Sequence, residues 1–168
     1  MTSLRISADQ ARDRGDVPAR ETPATRVARA AGVAFDLHEY EHDPRADSFA
    51  LEAAEALAID PDRVFKTLVV ARDGDLVVCI VPAGEKLHLQ ALGKRAAMAP
   101  PERAERVTGY VAGGISPLGQ RRPLPTFVDE WAMAHDTIFV SAGRRGLEIE
   151  LSPRDLVELT GAEVRALT

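Results

Sequence analysis

Two apolar runs, Val64 to Arg72 and Leu76 to Ala83, flank Asp73-Gly74-Asp75. An Asp-Gly step between β-branched runs is a strong hairpin signal, because such a turn needs residues that tolerate positive φ. The centre of the chain is thereby committed to two neighbouring antiparallel strands, and the other elements must pack on them. Leu76-Val77-Val78-Cys79-Ile80-Val81 shows no polar alternation and reads as a buried strand. The first run breaks its apolar character at Lys66, among Val64, Phe65, Leu68, Val69 and Val70. A buried ammonium there needs an acceptor or a pocket. A surface lysine with its stem along an edge strand is the ordinary alternative, and composition leaves both open. With three lysines against 18 arginines, a lysine here suggests that a compact point charge is wanted rather than a planar fork.

A second irregular stretch is Gly113-Gly114-Ile115-Ser116-Pro117-Leu118-Gly119-Gln120. Three glycines, a serine and a proline exclude a helix or a central strand. Glycine lets main-chain N–H groups approach a ligand without a Cβ in the way, although a plain turn has the same composition. Together, the donor-rich loop and an inward-capable lysine suggest a pocket for a carbonyl or an anion.

In chain order, residues 1–21 carry many charges and few large apolar side chains and are expected to form a flexible extension. Thr22-Pro23 reads as an N-cap and first helical position, with the helix running to about Ala31 and stopping at Gly32. Phe35 to Tyr40 alternates as a half-buried strand, and Phe49 to Ala58 is an alanine-rich helix. Short helical pieces are expected within Lys86 to Ala97 and over Pro101 to Val107, and strands at 126–128, 137–141 and 147–151. Ser152-Pro153 caps a last helix to about Leu159, and Glu163 to Leu167 adds an edge strand. With no regular βαβ alternation, the expected fold is α/β in the α+β sense. It has a mixed, mostly antiparallel sheet, or a partial barrel, with helices around it. Residues 22–168 form its single domain.

At 168 residues the chain can bury one full core. No apolar run of about 20 residues and no signal-peptide pattern occurs, so no membrane role is expected. Cys79, the single cysteine, cannot pair within the chain, which points to a cytoplasmic setting. A net charge of −5 and a pI near 5.4 argue against a general nucleic-acid binder. They allow local grip on one end of an RNA, for which Arg121-Arg122 and Arg144-Arg145 are candidates.

Other chemistries find less support. His38 and His42 share a strand face, but a third metal ligand is missing, so no metal site is expected. Ser116 and Ser141 adjoin glycines without a nucleophile elbow. An apolar Cys79 has a raised pKa and is inert.

Thr22-Pro23-Ala24, His38-Glu39-Tyr40-Glu41-His42-Asp43-Pro44, Glu52-Ala53-Ala54-Glu55, Val64-Phe65-Lys66-Thr67-Leu68, Thr108-Gly109-Tyr110, Gly113 to Gln120 and Ser141 to Leu147 together resemble the YbaK/EbsC family. These are free-standing relatives of the prolyl-tRNA synthetase editing domain, and the resemblance covers roughly residues 22 to 165. It implies a YbaK-like fold and an enzyme that removes cysteine mischarged on tRNA(Pro), without a cofactor. Lys66 matches the family's essential lysine, and Gly113 the first glycine of its loop; both are implied to be catalytic. Tyr40, Phe49, Thr67 and Ser141 match substrate-binding positions, and Gly114 and Ser116 join them as candidates from the loop. The family is thought to use the substrate's own thiol as nucleophile, and prolyl-tRNA synthetase is the implied partner beside the aminoacyl-tRNA acceptor end. Ala50 stands where the family often has glycine, the 87–95 segment is shortened, and Gln90 replaces a lysine. A deacylase for alanine or another small amino acid, and a non-catalytic tRNA- or synthetase-binding module, remain alternative readings.

Overall fold

The computed structural model describes residues 20–168. The expected extension over 1–21 therefore lies outside the described residues, except for Arg20 and Glu21. Arg20 is tied to Glu39 by an ion pair of 2.8 Å.

Among the described residues eight strands and four α-helices follow in the order α1 Pro23–Ala31, β1 Phe35–Glu39, α2 Phe49–Ala56, β2 Phe65–Arg72, β3 Asp75–Pro82, β4 Ala97–Met98, α3 Pro101–Thr108, β5 Thr126–Asp129, β6 Ile138–Arg144, β7 Leu147–Leu151, α4 Pro153–Thr160 and β8 Glu163–Arg165. The hairpin forms as expected, with β2 and β3 in register from Phe65↔Pro82 to Arg72↔Asp75. It lies within a five-stranded sheet of order β4-β2-β3-β5-β8, beside a three-stranded sheet of order β1-β7-β6. The pairs β3–β5 and β5–β8 are parallel, and the other four pairings are antiparallel. A bridge between Val64 and Phe139 links the sheets, which do not close into a barrel.

β3 is covered on both faces, which explains its unbroken apolar sequence. Val78 and Ile80 enter the main core with Phe35, Leu37, Phe65, Leu147, Ile149 and Leu156. Val77, Cys79 and Val81 enter a second core with Phe127 and Leu167. Local signals set the helix ends. Thr22 and Thr25 form a capping box, Pro23 opens α1, and Gly32 closes it in the left-handed conformation. The Thr22 hydroxyl also donates to the Ala142 carbonyl at 2.5 Å, fastening α1 to β6.

Several boundaries differ from expectation, β6 running Ile138–Arg144 rather than 137–141 and β8 Glu163–Arg165 rather than 163–167 among them. Lys86 to Ala97 holds only a four-residue 3₁₀ turn, Leu89–Leu92, whose start at His88 has no side-chain cap. α2 ends at Ala56, before Ala58 at φ +53°. Val64 is a bridge residue rather than the first of β2.

Candidate active site

β4 pairs with β2 only at Val70 and Ala71. The preceding half of β2 keeps an open edge, and a cavity of about 390 Å³ lies against it. Such a volume is within the ordinary range for small-molecule sites, about 300 to 1,000 Å³. Its walls are Asp47, Ser48, Phe49 and Ala50 at the start of α2, Phe65 to Leu68 of β2, Gly113 and Ile115 of the glycine loop, Ser141 of β6 and Glu148 of β7. Five expected site residues thus converge: Phe49, Lys66, Thr67, Gly113 and Ser141.

The lysine is half-buried, and its Nζ donates to the Ala83 carbonyl over 3.4 Å. Burial holds its pKa below the ordinary lysine value, while Glu85 pulls it back up. Beside it, Thr67 Oγ1 is buried without a hydrogen-bond partner. An unmet hydroxyl of this kind costs about 1 to 3 kcal/mol and is a natural contact for a ligand. Ser141 uses its Oγ to accept the Gly143 N–H at 3.2 Å.

The glycine loop is wedged in place. Gly113 sits at φ +82°, and a Cβ there would lie 2.7 Å from the Phe49 ring. A Cβ on Gly114 would lie 2.9 Å from the Arg144 backbone. Tyr110 Oη donates to the Leu118 carbonyl at 2.6 Å, and Glu105 accepts the Ala112 N–H at 2.8 Å. The Gly113 N–H makes no hydrogen bond among the described residues.

Three expected contact residues stand behind the cavity instead. The Gly114 N–H is consumed by the Val111 carbonyl at 2.9 Å, closing a turn, so it is no longer a donor for a ligand. Ser116 is fully buried; its Oγ accepts the Leu118 N–H at 3.2 Å, and its carbonyl accepts from Gln120 Nε2 at 3.0 Å. Tyr40 is buried outside the lining, its N–H bound to the Gly146 carbonyl. Its phenol is pushed well above its usual range by burial, with Glu148 and Glu52 adding to the shift. His38 and His42 serve different partners, Glu150 at 3.0 Å and Glu52 at 2.9 Å. Among the described residues no group of three or more His, Cys, Asp or Glu is placed to hold a metal ion. Cys79 is fully buried, and burial pushes its thiol up to about 12.

The cavity also contains a residue that sequence reasoning missed. Glu148 is 6% exposed, and its carboxyl makes no ion pair or hydrogen bond among the described residues. Burial pushes its carboxyl up to about 8, so the neutral acid predominates at pH 7. Glu150, two residues along the same strand face, behaves oppositely. Burial raises it, but hydrogen bonds from Thr137 and His38 and the charge of Arg63 outweigh burial, for a net lowering. Leu147-Glu148-Ile149-Glu150-Leu151 looks like a strand with one solvated face. In the fold, Phe139 of that face packs with Ala54 of α2 and with Val64, so the face is covered. The available signal was two acids on what proves to be the central strand of its sheet.

Against this geometry, the sequence model of the aminoacyl-tRNA editing domain matches residues 43–159. The chain belongs to the aminoacyl-tRNA editing domain family. The Enterococcus faecalis protein named "Putative Cys-tRNA(Pro)/Cys-tRNA(Cys) deacylase EbsC" is 35% identical over 156 residues, covering 89% of this chain and 94% of its own. A crystal structure described as "a putative trans-editing enzyme for prolyl tRNA synthetase" superposes with a TM-score of 0.74. It is 25% identical over 88% of this chain and 98% of that one. A proline–tRNA ligase of Shouchella clausii is 34% identical over 100 residues, 56% of this chain but 18% of the ligase. The editing-domain match spans α2, Lys66, Gly113 and Glu148, and therefore every wall of the cavity.

Proposed function

We propose that the chain is a trans-acting deacylase that removes cysteine mischarged on tRNA(Pro), working in the cytoplasm on the aminoacylated acceptor end. The observation that carries this reading is near full-length similarity to a relative named for that activity, together with a cavity that gathers Lys66, Thr67, Phe49, Gly113 and Ser141. The 3′-terminal aminoacyl ester enters the cavity with its α-ammonium toward Glu148, the acid on the β7 wall. Lys66 and Glu148 form no ion pair among the described residues, so both stay available to separate parts of the substrate, and the arriving α-ammonium favours ionisation of the Glu148 acid. Lys66 holds the terminal nucleotide by its oxygens, and Phe49 packs against the sugar or base. Ala50, in place of a family glycine, adds a methyl to the wall and favours a small aminoacyl group.

The reaction follows from what these groups supply. The cysteine sulfur attacks the ester carbonyl carbon, forming an S–C bond, and negative charge develops on the carbonyl oxygen. In this reading the unused Gly113 N–H donates to that oxygen; one such donor is worth about 3 kcal/mol in the barrier. The ester C–O bond then breaks, and the thiol's proton ends on the ribose hydroxyl. The products are a cysteine thiolactone and a free tRNA end. No protein nucleophile is required, in keeping with a Ser141 engaged in its own turn and a buried Cys79. Prolyl-tRNA synthetase is the proposed partner, supported by the segmental similarity to a proline–tRNA ligase and by a net charge of −5 that opposes strong unaided tRNA binding.

Deacylation of Cys-, Ala- and Pro-tRNA(Pro) by wild type and Lys66→Ala tests this reading. Loss of cysteine alone, abolished by the substitution, is expected. Turnover of alanine would move the specificity to the sister activity and require an activated water. Binding without turnover of any substrate would leave a tRNA- or synthetase-binding module. Cys-tRNA carrying a methylated thiol separates the routes: it resists self-cyclisation and yields to water attack.

A further inference from the structure

We infer that Arg145 is a phosphate-binding residue at the mouth of the cavity, gripping the sugar–phosphate backbone of the single-stranded RNA end whose terminus enters the site. The inference rests on the editing reading above and adds the group that receives the RNA. Arg144 and Arg145 occupy the turn between β6 and β7, and the fold gives them different surroundings. Arg144 is paired with Glu39 at 3.1 Å. Arg145 is exposed, and no carboxylate lies within ion-pair distance of it among the described residues. Its guanidinium stands 5.3 Å above the Phe49 ring, and its Nε donates to the Ala112 carbonyl at 2.8 Å. Phe49 is a wall of the cavity, and Ala112 precedes Gly113, another wall. Two anchors, one on α2 and one on the glycine loop, thus hold this charge beside the cavity wall.

The anchors use the ring face and one of the five guanidinium donors. The two terminal nitrogens remain, in a planar fork that matches two oxygens of a phosphodiester. The stack on Phe49 orders the side chain before binding, so less rotamer entropy is lost when a phosphate arrives. Glu105 is occupied by the Ala112 N–H, and Asp47 on the cavity wall has no cationic partner among the described residues, which suits it to ribose hydroxyls. In a chain of net charge −5, an RNA strand needs such a local cation to approach at all.

The test measures binding of uncharged tRNA(Pro) to full-length wild type, Arg145→Gln and Arg145→Lys across a salt series. Glutamine keeps a donor toward Ala112 and removes the charge; lysine keeps the charge. For Arg145→Gln the expected result is about a tenfold rise in Kd at low salt, the size of one charged hydrogen bond. Its log Kd against log salt slope should fall by about 0.7, the value of one phosphate on a single strand. Arg145→Lys should keep the wild-type slope. A glutamine variant with wild-type affinity and slope overturns the inference. So does the reverse pattern, in which glutamine rescues and lysine fails, since that marks a structural bond to Ala112. Binding of uncharged tRNA needs no turnover. A changed slope without deacylation would therefore keep the phosphate site and remove the deacylase, and deacylation with an unchanged slope would do the opposite.

Discussion

Glu148→Gln makes the sharpest test of how this site is built. In the unfolded chain the carboxyl loses its proton near 4.5, and in the folded chain near 8. Between those values the native state holds the extra proton, so stability falls as pH rises and levels off above about 8. At about 1.4 kcal/mol per unit, the group costs the wild type roughly 3 to 4 kcal/mol between pH 5 and pH 8. That is a large share of the roughly 5 to 15 kcal/mol by which a domain is stable. The stabilising bonds of Glu150 are lost only as pH falls through the acid range below the ordinary glutamate value, so the two windows stay apart. Glutamine is nearly isosteric and cannot ionise. It adds a buried amide whose cost, about 1 to 3 kcal/mol, does not change with pH. Urea unfolding of both proteins from pH 5 to 8 should show a falling curve for wild type and a nearly flat one for Glu148→Gln. The variant should also lose deacylation, because glutamine cannot ionise to meet the arriving α-ammonium. Parallel stability curves would refute the reasoning, since they would mean that Glu148 titrates as a wet carboxylate.

Other substitutions test the remaining walls. Gly113→Ala places a Cβ 2.7 Å from the Phe49 ring at φ +82°, so activity should fall at least a hundredfold while circular dichroism stays native. Thr67→Val removes the unpartnered hydroxyl; a stability gain of about 1 kcal/mol with a raised KM is expected, measured by thermal melting and steady-state kinetics. Tyr110→Phe strips the Leu118 carbonyl of its 2.6 Å donor and should cost about 1 to 3 kcal/mol, with loosening visible in amide exchange over 113–120.

The parts legible in the sequence were those whose cause is local. The Asp73-Gly74-Asp75 hairpin, the Thr22 cap with Pro23, and the Gly32 stop depend on a few neighbouring residues, and all formed as read. The short helical piece expected within 86–97 is a 3₁₀ turn, Leu89–Leu92, whose start carries no side-chain cap. The resemblance to editing proteins named Lys66, Thr67, Phe49, Gly113 and Ser141, which the fold gathers around one cavity.

The sequence by itself determined where the chain turns, which strand is buried on both faces, and that a lysine interrupts an apolar strand. Only the tertiary structure decided which polar groups are spent and which are free. Ser116 and the Gly114 N–H are consumed by the loop's own hydrogen bonds. Arg144 is paired with Glu39, while Arg145 stands at the opening. Glu148 and Glu150 carry the same side chain on the same strand face and titrate in opposite directions. Turns and caps follow from the conformational limits of a few adjacent residues. Burial and pairing depend on elements far apart in the chain meeting in space, here α2 packing on Phe139 of β6 and the glycine loop closing over Phe49.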